Sequence, residues 1–136
     1  MIRVVSINLN QKIRGVVLGA ALITTVFLSM AQAQDYNDGL IAASEGDYNT
    51  AVMKWKPLAD QDNPMAQFNM ALMYHRGLGV RMDEKKAVSL YKKSANNGYK
   101  LAQEFLAAAY YEGWFGLPRD QQKADYWLSR SEENTL

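Results

Sequence analysis

The chain predicts an all-α fold, a right-handed solenoid of three helical hairpins. Three observations carry that prediction. Ala66 to Gly77 (AQFNMALMYHRG) returns 36 residues later as Ala102 to Gly113 (AQEFLAAAYYEG), with five of twelve positions identical: Ala66/Ala102, Gln67/Gln103, Ala71/Ala107, Tyr74/Tyr110 and Gly77/Gly113. A fixed period in this range marks stacked helical hairpins. Aromatic and small residues recur at helical spacing along the chain, without strand-like alternation. Asn-Pro, Asp and Gly residues punctuate that pattern where helices start and stop.

The elements follow in order. Residues 1–33 read as a secretory leader outside the fold. Arg3, Lys12 and Arg14 form a basic start without an acidic residue, 16 uncharged and mostly apolar residues follow from Gly15 to Met30, and Ala31-Gln32-Ala33 supplies small residues at a cleavage site. That apolar run is short for a membrane span of about 20 residues. Cleavage is expected after Ala33, and the extended polar start (Ser6, Asn8, Asn10, Gln11) suits a bacterial leader. Residues 34–136 then form one repeat domain, with hairpins at about 35–61, 64–97 and 99–133.

Within them the spacing predicts helices over 35–45, 48–61, 64–76, 83–97, 99–112 and 120–133. Gly46-Asp47-Tyr48 makes the first tight turn. Asn63 caps the third helix, with Pro64 in its first turn. Asp83 and Asp120 sit at helix starts, where a cap or first-turn anion complements the dipole. Gly77, Gly98 and Gly113 close helices in the left-handed conformation. Ala51, Ala87 and Ala124 hold one position in the three second helices, where a small side chain lets helices approach. Ala71 and Ala107 do the same from first helices, with Tyr74, Tyr110, Trp55 and Tyr91 filling the space beside them.

Composition narrows function. The chain has 15 Lys+Arg and 14 Asp+Glu, and the leader holds three of the basic residues and no acidic one, so the mature part has 12 basic against 14 acidic residues, a net charge of −2. No basic stripe remains for nucleic acid, and no polybasic segment for an anionic membrane. The absence of cysteine excludes disulfides, lipoprotein anchoring, thiol catalysis and thiolate metal sites.

Ala51 to Ala59 (A-x-x-x-W-x-P-L-A), Ala66 to Val80 (AQ-x-x-x-A-x-x-Y-x-x-G-x-G-V) and Asp83 to Gly98 (D-x-x-x-A-x-x-x-Y-x-x-S-A-x-x-G) together resemble the Sel1-like repeat family, relatives of the tetratricopeptide repeat with a longer loop inside each hairpin. The resemblance covers about residues 40–133. Departures are an extra residue in the second long loop (Gly113 to Pro118), Ala in place of the family's glycine at 71 and 107, and no further first helix over 120–133. The leader implies export to the periplasm or beyond the cell, and the resemblance implies a binding module without a cofactor, serving as an adaptor, a regulator of envelope signalling, a factor exchanged between cells and hosts or an immunity-type inhibitor of a toxin. Its partner is expected to be a protein. By tetratricopeptide-like stacking, first helices line a concave groove with Tyr36, Leu40 and Ser44, then Phe68, Leu72, His75 and Arg76, then Glu104, Ala108, Tyr111 and Glu112. Trp114 and Phe115 form either local core under their loop or a contact patch. The uncapped C-terminal end offers a self-association surface.

Catalytic alternatives rest on thinner signals. Ser89-Leu90-Tyr91-Lys92 matches the S-x-x-K pattern of serine β-lactamases and penicillin-binding proteins, but the S-D-N and K-T-G partners are missing. Ser89 and Lys92 also fall off the packing face. His75 is the single histidine, too few for a zinc site. Asp60/Asp62, Asp83/Glu84 and Glu132/Glu133 lie at helix ends, away from any cleft deep enough for glycoside hydrolysis. An envelope hydrolase or a serine β-lactamase-like enzyme stands as the alternative class, and a purely structural envelope component as a third.

Overall fold

Helix caps set the frame of the structure. The computed structural model describes the backbone of residues 9–133 and the side chains of residues 24–133. Arg3, Ser6 and Asn8 of the expected leader and residues 134–136 of the tail lie outside the described residues. Asn63 accepts the Ala66 N–H at 3.0 Å, Asp83 the Lys86 N–H at 2.9 Å and Asp120 the Lys123 N–H at 3.0 Å. Asp47 accepts likewise from Thr50 at 3.1 Å. Each short polar side chain thereby satisfies one of the free amides of a first turn. The described elements are α1 (Leu9–Ser44), α2 (Tyr48–Asp60), α3 (Pro64–Arg76), α4 (Glu84–Asn96), α5 (Lys100–Glu112) and α6 (Gln121–Glu133). Asp83 and Asp120, expected as caps or first-turn anions, are caps one residue ahead of α4 and α6.

α1 differs more. Its expected start at residue 35 is a point within a helix that begins at Leu9 and runs through Ala33 without a break. Proline is absent from that stretch, and Ala, Leu, Met and Gln dominate its second half, all strong helix formers. The chain divides into two units between Gln34 and Asp35. Among the described residues, no helix is long and apolar enough to cross a membrane.

From Asp35 onward the helices pair as α1/α2, α3/α4 and α5/α6. Ala51, Ala71, Ala87, Ala107 and Ala124 are all buried where neighbouring helices meet. Gly39 takes this economy further, because a Cβ there would overlap the Trp55 indole. The indole Nε1–H donates to the Tyr36 carbonyl at 3.1 Å, and Lys54 bridges Asp35 and Asp38 at 2.8 and 3.3 Å. Two apolar clusters result. One joins Ala42, Ala51, Trp55 and Leu58 to Ala66, Met70 and Met73; the other joins Ala71, Ala87, Tyr91 and Ala95 to Ala102, Leu106, Ala124 and Trp127. Each cluster crosses a hairpin boundary, so every hairpin completes the core of the one before it.

The repeated glutamines tie those boundaries together. Gln67 is fully buried; its Nε2 donates to the Ala59 carbonyl (3.3 Å) and to Asp62 (3.1 Å), and its Oε1 accepts from Asn97 (2.9 Å). Gln103 donates to the Ala95 carbonyl at 3.0 Å. In both repeats a first helix is thus fastened to the end of the preceding second helix.

Candidate functional site

One position, read across the three hairpins, locates the site. Trp55, Tyr91 and Leu128 occupy the same place in α2, α4 and α6. Trp55 and Tyr91 are buried by the hairpin that follows, whereas Leu128 is 49% exposed. Around it α5 and α6 form a groove of about 420 Å³. Ala107, Ala108, Tyr111, Trp114, Ala124 and Leu128 supply its apolar lining, with Tyr111 59% and Trp114 48% exposed. Glu104, Glu112, Gln121 and Asp125 complete it.

These carboxylates are lightly held. Glu104 lies 3.8 Å from Lys100, Glu112 lies 3.6 Å from Arg119, and Asp125 accepts from Gln121 at 2.8 Å. Exposed pairs of this kind contribute little and exchange readily for other partners. The arrangement is an apolar trough with an acidic rim.

Of the expected groove residues, the structure brings Glu104, Ala108, Tyr111 and Glu112 together here. The others lie elsewhere. Tyr36 is half-buried, its ring 6.3 Å from Trp55 and its hydroxyl accepting from Asn69 at 3.2 Å. Leu40 and Ser44 are exposed on α1, and the Ser44 hydroxyl donates to the Ile41 carbonyl at 2.7 Å. Phe68 lies edge-on to Tyr91 and Tyr99, at 5.5 and 5.3 Å, and Leu72 is half-buried against both apolar clusters. His75 packs edge-on to Phe115 at 4.3 Å, its Nδ1 3.4 Å from the Tyr91 hydroxyl. Arg76 is exposed. Phe68 and His75 thus meet aromatic rings from the third hairpin while staying partly exposed.

Trp114 and Phe115 divide the two roles expected of their loop. Phe115 turns inward in a left-handed conformation (φ 57°) and stacks 5.3 Å from Phe105, which lies 3.9 Å from Tyr91. Trp114 faces the trough. Burial in this aromatic stack pushes the Tyr91 hydroxyl up to about 12 and raises Tyr99 by the same cause. Ser89 is exposed on α4 and Lys92 half-buried. Among the described residues, no three His, Asp or Glu side chains stand together as metal ligands.

Sequence reasoning did not assign Gln121, Asp125 and Leu128 to a site, although Leu128 shares the register position of Trp55 and Tyr91. An apolar trough of this width with a polar rim has the make-up of a docking surface.

Comparison with known proteins agrees with the repeat frame. Residues 64–99 and 100–135 each match the Sel1 repeat. A crystal structure of a protective antigen present in uropathogenic Escherichia coli strains, displaying an SLR fold, superposes with a TM-score of 0.67 at 31% identity, covering 77% of this chain and 23% of that one. A Sel1 repeat protein from Oxalobacter formigenes superposes with a TM-score of 0.60 at 32% identity, covering 66% and 26%. Chitin synthase regulatory factor 3 of Schizosaccharomyces pombe is 28% identical over 85 residues, 62% of this chain and 9% of that protein. The chain therefore spans between about a tenth and about a quarter of these relatives' length. By its two consecutive matched repeats and its all-helical solenoid, the chain belongs to the Sel1 repeat family.

Proposed function

We propose that this protein is an exported, periplasmic binding module that acts by docking another protein in the α5/α6 trough, without catalysis of its own. The observation that carries this reading is the trough itself, where Tyr111, Trp114 and Leu128 stand half exposed side by side. Large aromatic side chains in a preformed depression are the residue types that dominate binding energy at interfaces. Sel1 repeats generally mediate protein–protein interaction, and a distant relative carries a regulatory name. An adaptor, a regulator or an immunity-type inhibitor of a toxin all use such a surface. Export rests on the basic start, apolar run and Ala-x-Ala of residues 1–33.

Pull-down from envelope extract with the chain and with Tyr111→Ala/Trp114→Ala tests the docking site. A specific partner held by the first and lost by the second is expected; a partner held equally by both overturns the trough assignment. Nitrocefin turnover abolished by Ser89→Ala would overturn the non-enzymatic reading. N-terminal sequencing of the exported form is expected to begin at Gln34, and an intact leader on it refutes the processing site.

A further inference from the structure

We infer that the α5/α6 trough takes an amphipathic helix with basic flanks, seated as α5 is seated on the hairpin before it. This deepens the docking reading above and rests on it.

The chain contains its own template for the occupant. α5 packs on α3/α4 through Ala102 and Leu106 in their shared core, through Tyr99 on Phe68 (5.3 Å), and through Phe105 on Tyr91 (3.9 Å). α3 packs on α1/α2 in the same way, placing Ala66, Met70 and Met73 against Trp55. Moved on by one repeat, the positions under α5 become the trough: Ala71 maps to Ala107, Leu72 to Ala108, His75 to Tyr111, Ala87 to Ala124 and Tyr91 to Leu128. A surface twice used in this chain to hold a helix recurs a third time with its apolar floor exposed. Its matching partner is a helix with a small residue and a large aliphatic one four positions apart, like Ala102 and Leu106.

Charge sets the flanks. Phe68, Arg76 and Val88 of the covered hairpin are replaced in the trough by Glu104, Glu112 and Asp125. Three carboxylates at the rim, with Lys100 and Arg119 as their exposed counter-charges, favour Lys or Arg on the incoming helix. The same charges disfavour a second copy of this chain. Trough against trough sets identical carboxylates facing each other. Trough against α1 finds no basic residue between Asp35 and Ser44 to pair with these carboxylates.

The test uses the full chain and labelled peptides of residues 99–112, stapled on the solvent face because short helices are marginal in water. One peptide carries Tyr99→Lys, at the position that meets Phe68, the counterpart of Glu104, in the covered hairpin; a second keeps the native tyrosine; a third adds Ala102→Glu and Leu106→Glu to the first. Fluorescence anisotropy at low salt is expected to show the first peptide binding about tenfold or more tightly than either other peptide. Ala108→Gln in the chain, which fills the trough without adding charge, is expected to weaken that binding about tenfold or more, with the circular dichroism melt unchanged. Equal binding of the three peptides, or indifference to Ala108→Gln, overturns the inference. So does a concentration-dependent dimer in sedimentation that Ala108→Gln dissolves, because the occupant is then a second copy. A partner captured by wild type in the pull-down but not displaced by the first peptide would leave the docking reading standing and sink the helix reading alone.

Discussion

Replacing Gln67 with leucine should expose how the repeats are joined. The two side chains are close in volume, so the substitution removes hydrogen bonds rather than packing. Three are lost: to the Ala59 carbonyl at 3.3 Å, to Asp62 at 3.1 Å, and from Asn97 at 2.9 Å. At about 0.5–1.5 kcal/mol each they sum to roughly 3 kcal/mol. Not all of the partners are orphaned. The Ala59 carbonyl keeps the Asp62 N–H at 3.2 Å, and the Asn97 amide keeps the Asp62 carbonyl at 3.3 Å. The added methyl groups recover about 1 kcal/mol by the usual transfer value. A net loss of about 2 kcal/mol follows, which for a domain of this size lowers Tm by roughly 8–16 °C. Thermal and urea melts followed at 222 nm measure it. Asn97→Ala provides a second arm, and the double variant should show a coupling of about 0.5 kcal/mol or more. A loss within about 0.5 kcal/mol, the range of an ordinary surface substitution, or strict additivity with Asn97→Ala, would refute the idea that this glutamine fastens one hairpin to the next.

Other substitutions probe separate links. Gly39→Ala raises helix propensity by about 0.5–1 kcal/mol, yet the new Cβ overlaps the Trp55 indole, so a net loss of about 1–3 kcal/mol is expected in a urea melt. Burial raises Tyr91 from 10.0 to about 12, so its contribution is intact below pH 10 and is lost as pH climbs toward 12. Across that window the unfolded chain ionises first, costing roughly 2–3 kcal/mol; the alkaline limb of a stability–pH profile should flatten in Tyr91→Phe. Asp120 moves the other way. Its carboxyl is held below 3.8, chiefly by hydrogen bonding to Lys123, so its contribution is present above the ordinary carboxylate value and disappears as pH falls through the lowered one. Asp120→Asn should therefore soften the acid limb of the same profile, and, because Asp120 is also what raises Lys123, soften the alkaline limb where that lysine loses its proton.

Local rules made most of the helix frame legible, because caps and turns act within a few residues. Asn63, Asp83, Asp120, Gly77 and Gly113 each stand at a helix end for a reason visible in the residue itself. The small residues of the seams were legible because the repeat sets them in register. Gln67 and Gln103 were visible only as an identity. That they fasten hairpins follows from carbonyls in a different helix, and no local pattern encodes those. The candidate groove was the least legible part. Phe68, Leu72 and His75 sit on first helices where a tetratricopeptide-like register faces the concave side, yet here they meet the next hairpin. A small rotation of a helix about its axis moves a side chain from groove to seam, and sequence spacing alone does not set that rotation.

The long loop after α5 shows how the repeat and its break act together. In the α3–α4 loop a single residue after the helix-closing glycine, Gly79 (φ 66°), takes the left-handed conformation, and it lies against the Tyr48 carbonyl. The α5–α6 loop is one residue longer and uses two such conformations in succession, Phe115 (φ 57°) and Gly116 (φ 67°). For phenylalanine that backbone costs about 1–2 kcal/mol. The strain persists because the turn aims the ring at His75 and Phe105, at 4.3 and 5.3 Å, where aromatic contacts of about 0.5–1.5 kcal/mol each and the buried ring offset it. The same reversal leaves Trp114, its ring edge-on to Phe115 at 6.1 Å, beside Tyr111 and Leu128 in the trough lining. One inserted residue therefore closes the aromatic seam between the last two hairpins and adds an exposed indole to the face beyond them. The scaffold residues follow the 36-residue period, and the residue most suited to binding stands where that period slips.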